Sequence, residues 1–217
     1  MPVSSDRILY IDDHLLAVSK LAGELVVKGK GEVGRLPLLD FLKKDYPGLR
    51  ALHRLDFETS GVVLFARTKA AYDKIMETGF DGWRKVYQTL VMGRMERDRG
   101  VIQFKLPARG KGLVEALTRY RVLDRYANSS YVECEIDTGR HHQIRLHFQA
   151  IKHPLVLDEV YGHKKFNQLF ARELKYRRFL LHASCLELPH PITGAKLHIG
   201  APLPDAFASL VKKLGSL

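Results

Sequence analysis

The five consecutive apolar residues at 62–66 constrain the fold more than any other stretch. A short apolar run rich in valine is typical of a strand that must be buried, and its burial would fix the polar segment before it, residues 53–61. In that segment Asp56 and Glu58 alternate with apolar neighbours, which predicts an extended segment with both carboxylates on one side. Such a segment would hold a reactive carboxylate on a rigid sheet. The alternative is a plain strand entry with an Arg54–Asp56 surface pair.

The composition is that of a soluble globular protein. The chain has 217 residues, of which 46% are hydrophobic and 27% are charged; this length can bury one core, or two small lobes that share a cleft. The sequence has no long uncharged apolar run and no secretion signal, so we expect no transmembrane helix. Cys134 and Cys185 are expected to be buried free thiols in a reducing cytoplasm, with a disulfide as the alternative.

The charge balance favours a polyanionic partner. The formal net charge is +11 and the isoelectric point is about 9.7. Lysines and arginines that neutralise phosphates release counterions, which drives binding to nucleic acids. Residues 164–178 carry a local excess of basic side chains with aromatic residues between them. This segment is either a solvated helix face or a surface for the RNA backbone.

Hydrophobic periodicity predicts short strands with several helices. Strands are indicated at residues 8–11, 15–18, 83–91, 117–123, 130–136, 179–188 and 196–199. Helices are indicated at about residues 36–46, 68–78 and 205–214, with a further helix that is capped by Asp137 or Thr138 and contains Ile144, Phe148 and Ile151. We expect residues 23–34 to form a mobile basic loop and residues 94–112 to be irregular. No linker is visible, so we predict a single domain over residues 1–217.

The polar segment at residues 53–61 reads HRLDFETSG. It resembles the HRLDxxTSG signature of the RluA-type pseudouridine synthases, which isomerise uridine in structured RNA. Other stretches match this family in the same order: an opening hairpin at residues 8–20, KVY at 85–87, GRHHQIRLH at 139–147, HPLVLDEVYG at 153–162, LHA at 181–183 and HPITG at 190–194. The chain departs from the family pattern at Leu21, where proline is usual, and at Leu157, where glycine is usual.

The resemblance implies both a fold and a reaction. The family's fold is α+β, with a mixed, mostly antiparallel sheet and flanking helices around a central cleft. Its activity is RNA pseudouridine synthesis by an aspartate-dependent mechanism. Isomerising uridine oxidises nothing and passes no group to a second molecule. We therefore expect no cofactor, in agreement with the lack of a dinucleotide or phosphate-binding glycine motif.

The resemblance also assigns roles to five residues. The ionised carboxylate is Asp56, acting as nucleophile at the anomeric carbon or as stabiliser of positive charge there. Arg145 supplies a salt bridge that keeps this carboxylate ionised. Tyr87 stacks on the base and accepts a proton in the late step. Leu181 packs the pocket, and Arg54 contacts the target nucleotide or fills the gap that it leaves when flipped out.

Arg140 and His142 are predicted to contact the RNA substrate. A metal site is the competing interpretation of the three histidines in residues 139–147. However, His142 and His147 are five residues apart rather than four, and no matching carboxylate or cysteine is evident. We therefore predict no metal.

Structured RNA, either ribosomal or transfer RNA, is the expected partner of a cytoplasmic monomer that does not contact a membrane. Two alternatives remain open. A catalytically silent RNA-binding module would share the basic surface. A nucleoside hydrolase or glycosidase would use Asp56 and Glu58 as an acid pair, about 7 Å apart on one side of a strand.

Overall fold

The computed structural model describes residues 3–29, 36–108 and 110–216. The chain divides into two compact units. The first comprises Met1–Arg84 and Ala183–Pro202, and the second comprises Lys85–His182 and Leu203–Leu217. A segment from late in the chain therefore completes the first unit.

Short strands and helices make up both units. The strands of the described residues are β1 (Ile8–Ile11), β2 (Leu15–Lys20), β3 (Arg50–Ala51), β4 (Ser60–Ala66), β5 (Arg84–Met92), β6 (Arg99–Gln103), β7 (Leu106–Pro107), β8 (Leu113–Val114), β9 (Leu117–Arg125), β10 (Ser129–Ile136), β11 (Leu181–Pro189) and β12 (Lys196–Gly200). The helices are α1 (Leu38–Leu42), α2 (Lys69–Thr78), α3 (Gln143–Ala150), α4 (Lys164–Leu174) and α5 (Asp205–Leu214).

The first unit is built around the predicted buried strand, β4. Its strands follow the order β1–β2–β4–β11, with β3 paired to β4 and β12 paired to β11. The pairs β1–β2, β2–β4, β3–β4 and β11–β12 are antiparallel. Every residue of β4 is buried. Its alternate residues Val62, Leu64 and Ala66 join Ala71 and Ile75 of α2 in one hydrophobic cluster. Thr68 caps α2 by accepting a hydrogen bond from the backbone N–H of Ala71, as the sequence predicts.

The second unit contains four long antiparallel strands. The strands follow the order β5–β10–β9–β6, and each neighbouring pair is antiparallel. On β10, Val132, Cys134 and Ile136 are buried, as their alternation predicts. A second hydrophobic cluster brings α4 and α5 together through Phe170 and Phe207. The α+β class with mostly antiparallel pairing is thus confirmed.

The predictions for residues 94–112 and for the extent of the first helix are wrong. Residues 94–112 are not all irregular, because β6 and β7 lie within them. Helix α1 is shorter than the predicted residues 36–46, because the backbone after Leu42 changes to tighter turns such as the one from Asp45 N–H to the Leu42 carbonyl. Of the basic loop predicted at residues 23–34, residues 30–34 lie outside the described part of the chain.

No helix among the described residues combines the length and the hydropathy that crossing a bilayer requires. Neither cysteine forms a disulfide, as expected. Cys134 is buried, whereas Cys185 is only partly buried.

Candidate active site

Asp56 begins a β-turn rather than lying in an extended segment. The backbone N–H of Thr59 donates to the carbonyl of Asp56 at 3.1 Å, which puts Phe57 and Glu58 at the centre of the turn. The extended prediction is wrong because the chain reverses between β3 and β4, and aspartate is favoured at the first position of such turns. Asp56 is half-buried and Glu58 is exposed. The two carboxylates do not alternate along a strand, which removes the geometric basis of the acid pair.

A buried lysine holds this turn in place. The side chain of Lys20 has no exposed surface. Its ammonium donates to the carbonyl oxygens of Leu21 at 3.0 Å, Phe57 at 3.0 Å and Thr59 at 2.6 Å. Because an ammonium has three donors, these carbonyls satisfy it fully. The backbone on the C-terminal side of Asp56 is therefore tied to the end of β2.

The charge of Lys20 is coupled to that of Asp56. Burial lowers the pKa of Lys20 to about 8, while the negative charges of Glu24 and Asp56 act in the opposite direction. The first unit thus supplies a positive charge of its own to the turn that carries Asp56.

Gly61 allows the strand after the turn to approach β11 closely. Its φ of 117° lies in a region that side chains rarely adopt, and a Cβ there would lie 2.1 Å from the carbonyl oxygen of Ala183. Only glycine fits a backbone approach of this kind. The glycine of the HRLDxxTSG pattern therefore has a packing reason in this structure.

The side chains before and after Asp56 differ in accessibility. His53 accepts a hydrogen bond at Nε2 from the backbone N–H of Leu64 at 3.0 Å, which anchors the start of the segment to β4. Arg54 is exposed, and Phe57 is 48% exposed. The accessible guanidinium of Arg54 is compatible with its predicted contact to the target nucleotide.

Arg145, on α3 in the second unit, is buried against a carboxylate. Its Nε donates to Asp158 Oδ2 at 2.6 Å and its Nη2 donates to Asp158 Oδ1 at 2.8 Å. The guanidinium also lies over the rings of Tyr161, at 4.9 Å, and Phe179, at 5.2 Å. Bidentate geometry and ring contacts together fix both the position and the orientation of the guanidinium.

Asp158 is ionised in spite of its burial. Desolvation alone would raise the pKa of this carboxyl, but hydrogen bonds from Arg145 and from the backbone N–H of Tyr161 and Val160 lower it below its usual value. Both backbone bonds are 2.9 Å long. Leu157, which replaces the family's glycine, keeps a positive φ of 62°. The turn that positions Asp158 therefore contains a left-handed backbone conformation at a residue other than glycine.

Helix α3 starts without the side-chain cap predicted at Asp137 or Thr138. Its N-cap is His142, which has a φ of 53° and forms no side-chain cap hydrogen bond. Gln143 holds the preceding loop instead, because its Oε1 accepts from the Thr138 hydroxyl at 2.8 Å and from the backbone N–H of Arg140 at 3.1 Å. Periodicity does not reveal a side chain that reaches back in this way.

The two predicted RNA-contact residues of the second unit lie at this helix start. Arg140 is exposed, and His142 is half-buried. His142 Nδ1 lies 3.0 Å from the hydroxyl of Tyr161, and the His142 ring stacks on His141 with 3.7 Å between centroids. Tyr161 therefore contacts both His142 and the guanidinium of Arg145.

Tyr87 and Leu181 lie on strands. Tyr87 is on β5 opposite Cys134 of β10, and its exposed fraction is 9%. Lys85 shares the Tyr87 side of β5 because side chains alternate along a strand; burial lowers the pKa of Lys85, although the charge of Asp137 opposes this shift. Leu181 is the buried first residue of β11.

The predicted site residues come from both units. Arg54 and Asp56 belong to the first, whereas Tyr87, Arg145 and the remaining candidates belong to the second: Arg140, His142 and Leu181. The structure brings Arg145 and His142 together around Tyr161. The joint action of residues from the two units stays a prediction. The sequence analysis assigned no role to Lys20 or Asp158, although both lie in stretches that match the family pattern.

Comparison with known proteins gives consistent matches. A family profile described as RNA pseudouridylate synthase matches residues 14–150. The chain is 35% identical over 224 residues to the Ribosomal large subunit pseudouridine synthase C of Escherichia coli (strain K12), with 97% of this chain and 70% of that protein covered. It is 34% identical over 235 residues to the Ribosomal large subunit pseudouridine synthase D of Nitrosomonas europaea, with 97% and 66% covered.

Solved structures agree with these matches. Human RNA Pseudouridylate Synthase Domain Containing 1 is 26% identical and superposes with a TM-score of 0.74. The match covers 100% of this chain and 98% of that one. Human RNA Pseudouridylate Synthase Domain Containing 4 has a TM-score of 0.79 at 24% identity and covers 97% of this chain and 94% of that one, which shows the shared fold.

Proposed function

The chain belongs to the RNA pseudouridylate synthase family, and we propose that it isomerises uridine in structured RNA through the carboxylate of Asp56. The reaction breaks the bond between N1 of the base and C1′ of the ribose, turns the base, and joins C5 to C1′. The proton on C5 is lost and N1 gains one, so no redox cofactor, ATP or second substrate is consumed. The observation that carries the proposal is the turn at Asp56, which matches the family signature and is held by Lys20.

Asp56 is the group that interacts with the anomeric carbon. An ionised carboxylate acts there as nucleophile or stabilises the positive charge that develops as the base departs. Lys20 supplies a positive charge to the turn of Asp56 from within the first unit. Arg145 is proposed as a second cation for Asp56, which would require its guanidinium to serve two carboxylates, Asp56 and Asp158. The five N–H donors of an arginine allow this.

Tyr87 is proposed to stack on the base and to accept the C5 proton after the new bond has formed. A tyrosine oxygen within hydrogen-bond reach can take this proton as a phenolate, or as a phenol that passes its own proton on to solvent. Leu181 is proposed to pack the pocket. Arg54 would contact the target nucleotide or occupy its place in the stack after base flipping.

Ribosomal RNA is the substrate class that we favour, with transfer RNA as the second candidate. The relatives described above are named for the ribosomal large subunit. The net charge of +11 supports a polyanionic partner, and Arg140 and His142 are proposed RNA contacts. We further propose that residues 1–217 act as one catalytic domain, as a monomer and in the cytoplasm, and that the uridine chemistry uses no metal or other cofactor.

The experiment is a pseudouridine assay on ribosomal and transfer RNA transcribed in vitro. The wild-type chain should form pseudouridine, and Asp56→Asn should reduce the rate by roughly 10³-fold or more while RNA binding is retained. Glu58→Gln is the matched control, because Glu58 is the neighbouring acid in the same turn and is exposed; this variant should keep its activity.

Three results would contradict the proposal. Turnover by Asp56→Asn would remove this carboxylate from the chemistry. Release of free uracil by the wild-type chain that is lost in both Asp56→Asn and Glu58→Gln would favour a hydrolase with an acid pair. RNA binding by the wild type without any pseudouridine would favour a catalytically silent RNA-binding module.

A further inference from the structure

Three side chains with metal-binding atoms converge on the β11–β12 hairpin of the first unit. Cys185 and Glu187 lie on one face of β11 because they are two residues apart. His198 of β12 is directly opposite Glu187 in the strand register. One ligand atom from each of the three residues lies within 4.8 Å of the others. None of these residues has a role in the chemistry proposed for Asp56.

Two of the distances match the edges of a tetrahedral site. Cys185 Sγ lies 3.6 Å from His198 Nδ1, and His198 Nδ1 lies 3.2 Å from Glu187 Oε1. In tetrahedral zinc sites the metal–ligand bonds imply a sulfur–nitrogen edge of about 3.6 Å and a nitrogen–oxygen edge of about 3.3 Å. Small side-chain adjustments would therefore be enough for the three atoms to share one ion.

We propose that Cys185, Glu187 and His198 bind a divalent cation of the zinc class, with water at the fourth position. The combination of thiolate, imidazole and carboxylate selects zinc over magnesium or calcium, which prefer oxygen ligands. Binding releases the thiol proton of Cys185, because the thiolate is the ligand. Cys185 and His198 are accessible enough for an ion to reach them, since the thiol is half-buried and the imidazole is exposed.

The surroundings of Glu187 set the expected affinity. The Glu187 carboxylate is paired with Lys196, Arg84 and His198. Lys196 Nζ lies 2.9 Å from Oε2, and Arg84 Nη1 lies 3.0 Å from Oε1. Lys196 can remain as an outer partner of the oxygen that does not bind the metal. The two cations nevertheless repel a divalent ion, which predicts modest rather than tight binding.

The test is a titration of the untagged 217-residue chain with Co²⁺ under reducing conditions. We expect a thiolate-to-cobalt charge-transfer band and the strong visible bands of tetrahedral cobalt, both saturating at one ion per chain and both abolished by Zn²⁺. Cys185→Ser should lose the charge-transfer band. His198→Ala should weaken binding by more than ~10-fold. Lys196→Gln should tighten binding, because it removes a repelling charge.

Cys134→Ser is the control, because Cys134 is a fully buried thiol in the second unit and this variant should keep the cobalt spectrum. Circular dichroism and the pseudouridine assay report whether each variant is folded. A wild-type titration without a charge-transfer band would overturn the proposal, and so would a band that persists in Cys185→Ser. Neither result depends on whether Asp56 is the catalytic carboxylate.

Discussion

Lys20 and Arg145 are buried cations whose partners differ in kind. Lys20 donates to backbone carbonyls around the turn of Asp56, whereas Arg145 shares two hydrogen bonds with the carboxylate of Asp158. A buried charge without a partner is strongly unfavourable, so each set of contacts holds its segment in one position. The same contacts that stabilise the fold therefore orient the groups proposed for catalysis.

The Arg145–Asp158 pair predicts a large loss of stability when the acid is neutralised. Asp158→Asn should lower the free energy of unfolding by about 3–5 kcal/mol, because the guanidinium would stay buried without its carboxylate. The control is Asp98→Asn, since the side chain of Asp98 is 81% exposed in its pair with Arg125; this change should cost about 1 kcal/mol or less. Urea denaturation measures both, and equal losses would contradict the assigned role of Asp158.

The lowered pKa of Lys20 predicts a stability that rises in alkaline solution. The pKa is about 8 in the folded chain, against 10.5 for an unperturbed lysine. Between these values the unfolded chain holds more protons, so the free energy of unfolding increases with pH, by up to about 3 kcal/mol. Denaturation at about pH 7 and about pH 10 should show this rise in the wild type relative to Lys20→Met. If the difference in unfolding free energy between the wild type and Lys20→Met were independent of pH, the lowered pKa of Lys20 would be refuted.

The sequence identifies the residues of the family pattern more readily than the residues that hold them in position. Asp56, Arg54 and Tyr87 are visible in short motifs. Lys20 also lies in a matching stretch, but its part in holding the turn is not visible there, because lysine is a surface residue in most proteins and only the folded backbone gathers the carbonyls that satisfy it. Asp158 likewise becomes recognisable only once α3 has placed Arg145 beside it.

At the scale of elements, predictability follows burial and local capping. β4 was predictable because its five apolar residues at 62–66 need a buried strand, and α2 because Thr68 caps its first turn. β6 was missed because only Ile102 of its five residues is buried. A strand so polar is defined by its pairing with β9, which no local pattern reveals.

Gly61 gives a prediction for the packing of β4. Gly61→Ala should lower the free energy of unfolding by about 3 kcal/mol, since a Cβ would lie 2.1 Å from the carbonyl oxygen of Ala183. Gly194→Ala is the matched control, because Gly194 also has a positive φ, of 74°, but nothing lies within 4 Å of an added Cβ. It should cost only about 1 kcal/mol. Thermal unfolding compares the two, and a similar loss in both would disprove the close approach.

At the scale of the whole molecule, the division into two units could not be predicted. The first unit recruits Ala183–Pro202 from far along the chain, and such long-range pairing leaves no periodic signal. The central cleft and the single catalytic domain therefore remain predictions. The basic side chains of residues 164–178 are exposed, as both a solvated helix face and an RNA-binding surface require. Both interpretations of that segment stay open.

The central claim is that Asp56 of the first unit and Tyr87 of the second act on the same uridine. Pseudouridine mapping in ribosomal and transfer RNA from cells that lack the gene, complemented with variants, tests this claim directly. We expect a missing pseudouridine that the wild-type chain restores and that neither Asp56→Asn nor Tyr87→Phe restores, although both variants accumulate as folded protein. Restoration by Asp56→Asn would contradict the claim, and so would an unchanged pseudouridine map in the deletion.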